Sequence, residues 1–191
     1  MTDGRYTRIA MLFHWVIAAG IVANVTLAWV WPYLGDSSVR PAIDTHKSIG
    51  ITILGLAILR VLWRLTHVPP AFPTRYQDWE RRVSGIVHGA LYLLIFVMPL
   101  SGWIMDSAYK DAATHPMALF GLVPWPRIGA VMALDPATKL RVHDLFGATH
   151  SYAAWALYAL VGLHVAGALK HQFVDRHREL QRMWPGREPI L

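Results

Sequence analysis

The chain of 191 residues contains no cysteine. No disulfide can staple it, and no thiolate is available for zinc, copper or iron–sulfur ligation, so any redox centre must use other ligands. Charge is scarce as well: Asp, Glu, Lys and Arg make up 16% of the residues against 54% hydrophobic, and the mean hydropathy is +0.33. That balance excludes an ordinary soluble domain of this length and predicts a membrane protein. No charged residue occurs between Ile9 and Trp31, and a helix needs about 20 such residues to cross a hydrocarbon core about 30 Å thick.

Four stretches reach or approach that length: about 9–31, 47–66, 83–105 and 145–170. Arg60 and Arg64 fall near the end of the second, where arginine can snorkel to the interface. Arg5 and Arg8 before the first stretch have the look of a secretory signal, but no A-x-A-type site follows Trp31, so the first stretch is read as a retained helix. The expected fold is an all-α membrane protein, a four-helix bundle occupying residues 1–191 as one transmembrane domain. Nothing is left for a soluble catalytic domain, so the chemistry belongs in the bundle or in the long segment at 106–144, where residues 117–122 are read as a short helix.

Orientation follows from the basic residues. One side holds Arg5, Arg8, Arg60, Arg64, Arg75, Arg81, Arg82, Lys170, Arg176, Arg178, Arg182 and Arg187, and the other holds Arg40, Lys47, Lys110, Arg127, Lys139 and Arg141. The positive-inside rule then puts both termini in the cytoplasm, with the chain crossing the membrane several times. The basic excess reads as topology and attraction to membrane lipid, with no nucleic acid partner.

Histidine is what the spans do contain. His150, His164 and His171 are separated by fourteen and seven residues, close to whole helical turns, so they share one stripe. His150 and His164 are about 21 Å apart along that helix and belong to different leaflets. His14 matches the depth of His164, and His46 matches that of His150. Two hemes b stacked across a bilayer require this: two imidazoles per iron, from facing helices, at two depths. A metal transporter or proton relay would more often place Asp or Glu in the spans, and the four stretches have none. His88 lies at the same depth as His14 and His164, and spacing alone does not choose two of the three. His67, His115, His143 and His177 read as surface or capping residues, with His143 in line to extend the stripe outward.

Four sequence features carry a resemblance: RYTRIAMLFHW at 5–15, HKSIGI at 46–51, HGALYLLIFVMPLSG at 88–102, and H-x13-H-x6-H from 150 to 171. With them the chain resembles the bacterial cytochrome b561 family, related to the di-heme cytochrome b subunits of formate dehydrogenases and nickel–iron hydrogenases. The resemblance implies that His14 with His164 holds a cytoplasmic-side heme and His46 with His150 an outer-side one. His88 and His171 are then left for supporting roles.

With Arg60, which lies fourteen residues after His46, His88 and His171 form a candidate quinone or propionate site. Arg60 can grip a carboxylate, and histidine can supply the protons that quinone reduction needs. Arg40, Lys110, Arg127, Lys139 and Arg141 are candidates for steering a small anion to the outer face, although six acidic residues share that side. The family resemblance implies an oxidoreductase that passes electrons from a one-electron donor, superoxide, through the two hemes to ubiquinone. The alternative is a cytochrome b membrane anchor of a larger dehydrogenase or reductase, fed by a redox partner protein.

Overall fold

A computed structural model of the chain describes residues 4–71 and 76–184. Arg75 and Arg187, used above for the charge count, lie outside the described residues. Helix α1 spans Arg8–Val30, α2 Asp36–Thr66, α3 Asp78–Ser107 and α5 Pro136–Leu169. All four are long and apolar enough to cross a membrane. The short α4, Gly129–Met132, lies in the long connection, and α6, Glu179–Met183, follows the last span.

Three of the four spans start at a side-chain cap. Thr7 caps α1 by accepting from the Ala10 N–H at 3.2 Å. Gln77 and Glu80 form a reciprocal capping box on α3. Asp135 accepts from the N–H groups of Ala137 and Thr138, both at 3.1 Å, and Pro136 takes the first position of α5. These bonds, that from Thr138 foremost, hold the Asp135 carboxyl below the usual carboxylate range. Such caps satisfy the free N–H groups of a first helical turn.

The helices begin earlier than apolar content predicts. α2 starts at Asp36 instead of about 47, and α5 at Pro136 instead of about 145. The added turns, DSSVRPAID and PATKLRVHD, are polar but still helical, and they extend the spans beyond the hydrocarbon. His46 and His150 therefore sit well inside their helices rather than opening them. Asp106, placed beyond the third span by the sequence reading, is the penultimate residue of α3 and is buried.

α1 packs on α2, α2 on α3, and α3 on α5. Outward faces are apolar, with Leu12, Val22, Ile86 and Trp155 all exposed. In a bilayer this surface meets lipid, so the usual soluble-protein contrast between core and surface is lost. A small core of Leu94, Ala153 and Leu157 joins α3 to α5. Pro99 lies buried within α3.

The connection between α3 and α5 contains no helix at 117–122. Ala118–Leu119 and Val123–Pro124 pair as a two-stranded antiparallel ribbon. Phe120 and Gly121 have φ of 51° and 70° at its turn, a left-handed pair that excludes a right-handed helix there. The ribbon is pinned to α2, where the Phe120 N–H donates to Ser48 Oγ at 2.9 Å. It is followed by Ile128, whose N–H donates to Ser107 Oγ at 3.0 Å.

Both described ends of the chain meet at the opposite end of the bundle. Arg5 Nη2 donates to the Trp184 carbonyl at 2.6 Å, Trp15 Nε1 to the Met183 carbonyl at 2.7 Å, and the Tyr6 N–H to the Arg182 carbonyl at 3.1 Å. This is the termini end; the ribbon marks the far end.

Candidate functional site

At the far end a cavity of about 630 Å³ lies between the four long helices, and His46 of α2 and His150 of α5 both line it. That volume falls within the range of about 300–1,000 Å³ usual for small-molecule and cofactor sites. The two imidazole centroids are 6.2 Å apart, with planes at 66°. His46 Nδ1 is 3.1 Å from the Asn24 carbonyl, and His150 Nδ1 is 3.0 Å from the Met98 carbonyl. Carbonyl oxygens only accept, so each Nδ1 carries its hydrogen and each Nε2 keeps a free lone pair. Metal-binding histidines are held in this way, with the second nitrogen donating to a backbone carbonyl.

Neighbours fix the two rings. Ser101 Oγ is 3.1 Å from His150 Nδ1, and Trp31 meets His46 edge-on at 5.2 Å. Gly102 lets His150 approach α3: a Cβ there would lie 3.3 Å from its Cε1. Asn24 also lines the cavity, and its Oδ1 is buried without a hydrogen-bond partner. His143, read as a surface residue, lines the cavity too and bonds the Met105 carbonyl through Nδ1 at 3.0 Å.

Cations gather on the same cavity. Lys47 Nζ is 2.6 Å from Asp106 Oδ1, and Arg127 Nε is 2.9 Å from Asp106 Oδ2. Arg127 is 5% exposed at its side chain and also donates to the Ala112 carbonyl at 2.7 Å. It is therefore a buried clamp on the long connection, whereas the steering reading takes it as a cation of the outer face. Arg40 lines the cavity while paired with Asp44 at 3.1 Å, Lys110 and Arg141 are exposed, and Lys139 is half-buried. The Lys47–Asp106–Arg127 network had no sequence signal beyond two isolated basic residues and one acid at an expected helix end.

At the termini end His14 of α1 and His164 of α5 repeat the geometry, with centroids 6.1 Å apart and planes at 67°. His88 stands closer to His164, at 5.1 Å and 80°, and its Nδ1 is occupied by the Ser84 carbonyl at 2.7 Å. Arg60 Nη1 donates to His14 Nδ1 at 3.2 Å and Arg60 Nε to the Tyr92 hydroxyl at 3.0 Å.

Among the described residues, neither His88 nor His171 lines the pocket that Arg60 lines. Arg60 faces a separate pocket of about 70 Å³ with Trp63, Arg64 and Tyr92, and His88 stays beside His164. His171 is covered by Tyr76, whose ring stacks on it at 4.2 Å, and by Asp175, whose Oδ2 is 2.7 Å from its Nδ1. Extrapolating the histidine stripe missed this, because α5 widens into a π-turn at Lys170–Val174 and the chain then folds back over it.

The model of the family described as prokaryotic cytochrome b561 matches residues 5–186. The chain belongs to the prokaryotic cytochrome b561 family. Among its relatives, "Cytochrome b561 homolog 2" of Escherichia coli is 34% identical, covering 95% of this chain and 92% of the relative. "Probable superoxide oxidase CybB" of Yersinia pestis is 25% identical over 95% of this chain and 96% of that protein. "Cytochrome b562" of Cereibacter sphaeroides is 26% identical over 93% and 94%. Membership and the four spans make this b561-family chain a multi-pass membrane protein of redox electron transfer, with b-type heme as the implied cofactor.

The residues present fit such a group. Two metal–imidazole bonds of about 2 Å each, plus the half-width of each ring, separate axial-ligand centroids by roughly 6 Å. The far-end pair has that separation across an apolar cavity with cations at hand. At the termini end the separation of His14 and His164 also matches, whereas His88 is about 1 Å too close to His164 to face it across an iron.

Proposed function

We propose that the chain moves electrons across the membrane from superoxide, at the far end, to quinone, at the termini end. The observation that carries this reading is the repeated geometry of the two imidazole pairs, 6.2 Å at the far end and 6.1 Å at the termini end. Two bound b hemes would supply one-electron steps, and bis-imidazole ligation would leave no open iron position for oxygen. His46 and His150 would hold one heme, and His14 and His164 the other. α5 contributes to both sites and is unbroken between them, so the pairs are about 21 Å apart along its axis.

The chain's own residues provide the rest. The Asn24 and Met98 carbonyls fix the far-end imidazoles in the tautomer that leaves Nε2 free. Lys47 and Arg127 line the cavity and would supply counter-charge to heme carboxylates, and Arg40 and Lys47 offer a small anion a positive margin to it. At the termini end the Arg60 guanidinium and the Tyr92 hydroxyl can bind a propionate or a quinone oxygen. The charge count given above favours cytoplasmic termini, which orients the far end toward the periplasm. A relative called a probable superoxide oxidase supports superoxide as donor.

The test uses purified, heme-loaded protein in detergent micelles. Enzymatically generated superoxide should reduce the b-type absorption, and added ubiquinone should reoxidise it. Lack of reduction by superoxide, with heme content intact, would defeat the donor assignment and leave the electron-transfer reading to be fed by another carrier.

A further inference from the structure

We infer that His171, Asp175 and His177, where the last span gives way to α6, form a binding site for a divalent transition metal of the zinc type. Among the described residues these three place one ligand atom each so that all lie within 4.8 Å of one another. Zinc holds nitrogen and oxygen ligands at about 2.0–2.2 Å, which sets tetrahedral donor atoms roughly 3.4 Å apart.

The backbone prearranges the cluster. The π-turn at Lys170–Val174 presents His171 and is followed by Asp175. Arg176 then takes a left-handed conformation, φ 56°, which turns the chain back. The His177 N–H closes the loop by donating to the His171 carbonyl at 2.8 Å. A non-glycine residue in that conformation costs free energy, and such strain recurs at functional sites. Tyr76 stacks on both rings, at 4.2 Å on His171 and 5.6 Å on His177, and its hydroxyl donates to Glu179 at 2.7 Å. Burial and that bond push the Tyr76 phenol up, so it remains a donor.

A second observation points to a ligand: His177 Nδ1 is buried and has no hydrogen-bond partner. An unsatisfied buried nitrogen is costly, and a cation accepting its lone pair removes the cost. Lys170 approaches the same carboxylate, at 2.8 Å from Asp175 Oδ2. It also pairs with Glu80, so it stays neutralised when Asp175 turns to a metal. Two imidazoles and one carboxylate, with a fourth position for water, suit zinc, nickel or cobalt; the lack of thiolate disfavours cuprous copper. The site would staple the end of α5 to α6 and stands apart from both imidazole pairs.

The test is zinc binding to heme-loaded protein first stripped with a chelator. Equilibrium dialysis against zinc chloride should give one zinc per chain above that of H177A, with the heme spectrum unchanged. D175N should lose affinity by more than the roughly 10–100-fold typical of disturbing an outer-shell partner, while H115A, at an exposed histidine, should bind as the parent does. Zinc-edge X-ray absorption on the parent protein alone should report two imidazole ligands. Absence of stoichiometric zinc, equal binding by H177A and D175N with heme retained, or an absorption spectrum without imidazole would overturn the site.

Discussion

The two histidine pairs have nearly the same spacing and tilt, 6.2 Å and 66° at the far end against 6.1 Å and 67° at the termini end, yet their surroundings differ. At the far end both Nδ1 groups donate to main-chain carbonyls, and the surrounding charges include the Lys47–Asp106–Arg127 network. At the termini end His14 Nδ1 accepts from a side chain, Arg60, and a third histidine stands beside His164. Helix geometry accounts for the shared spacing, because one helix supplies a histidine to each pair fourteen residues apart. The contrast lies in what holds the rings: backbone carbonyls at one end, and a charged side chain, Arg60, at the other. The first arrangement fixes a ligand; the second can be tuned and can exchange protons.

Five substitutions would break or sharpen that contrast. The largest effect is expected from the ligands: H150L should remove the far-end heme and abolish reduction by superoxide, while H164L should remove the other heme and abolish reoxidation by quinone. Heme-to-protein ratios should halve in each, and loss of both hemes from either would contradict independent pairs.

Next is D106N. Lys47 and Arg127 would keep their charges and lose their shared partner, and breaking a buried ion pair costs about 3–5 kcal/mol. Thermal unfolding followed by far-end heme absorption should fall accordingly. G102A follows, since its new methyl would press on the His150 ring; overpacking of this kind costs about 1–3 kcal/mol. Its signature is a perturbed far-end spectrum with the termini-end spectrum unchanged.

The smallest effect is that of R60Q. Removing a cation beside His14 should lower the potential of the termini-end heme by tens of millivolts, read by redox titration, and leave the other potential in place. An equal shift in both would mean that Arg60 acts on the whole bundle and not on one site.

Much of this contrast could be read from residue spacing, and part could not. Depth matching brings His14 to His164 and His46 to His150 because four apolar stretches fix where each helix sits in the bilayer. The polar first turns of α2 and α5 escaped that reading, since hydropathy reports the membrane's thickness and not the helix's end. Asp135 followed by Pro136 was nonetheless a legible start signal. The ribbon turn had one cue, Gly121. The π-turn had none, and without it His171 looked like a continuation of the stripe and His177 like surface. Nor does spacing separate His88 from His14, whereas their ring distances to His164 differ, 5.1 against 6.1 Å.

Electron paramagnetic resonance of the oxidised, heme-loaded protein tests the central claim most directly, because the ferric signal depends on axial ligands and on the angle between their planes. Planes at 66° and 67° predict two low-spin signals, both of the strongly anisotropic type, integrating to two spins per chain and reduced to one in H150L or H164L. A high-spin signal, a single spin per chain, or signals of the parallel-plane type would contradict the account.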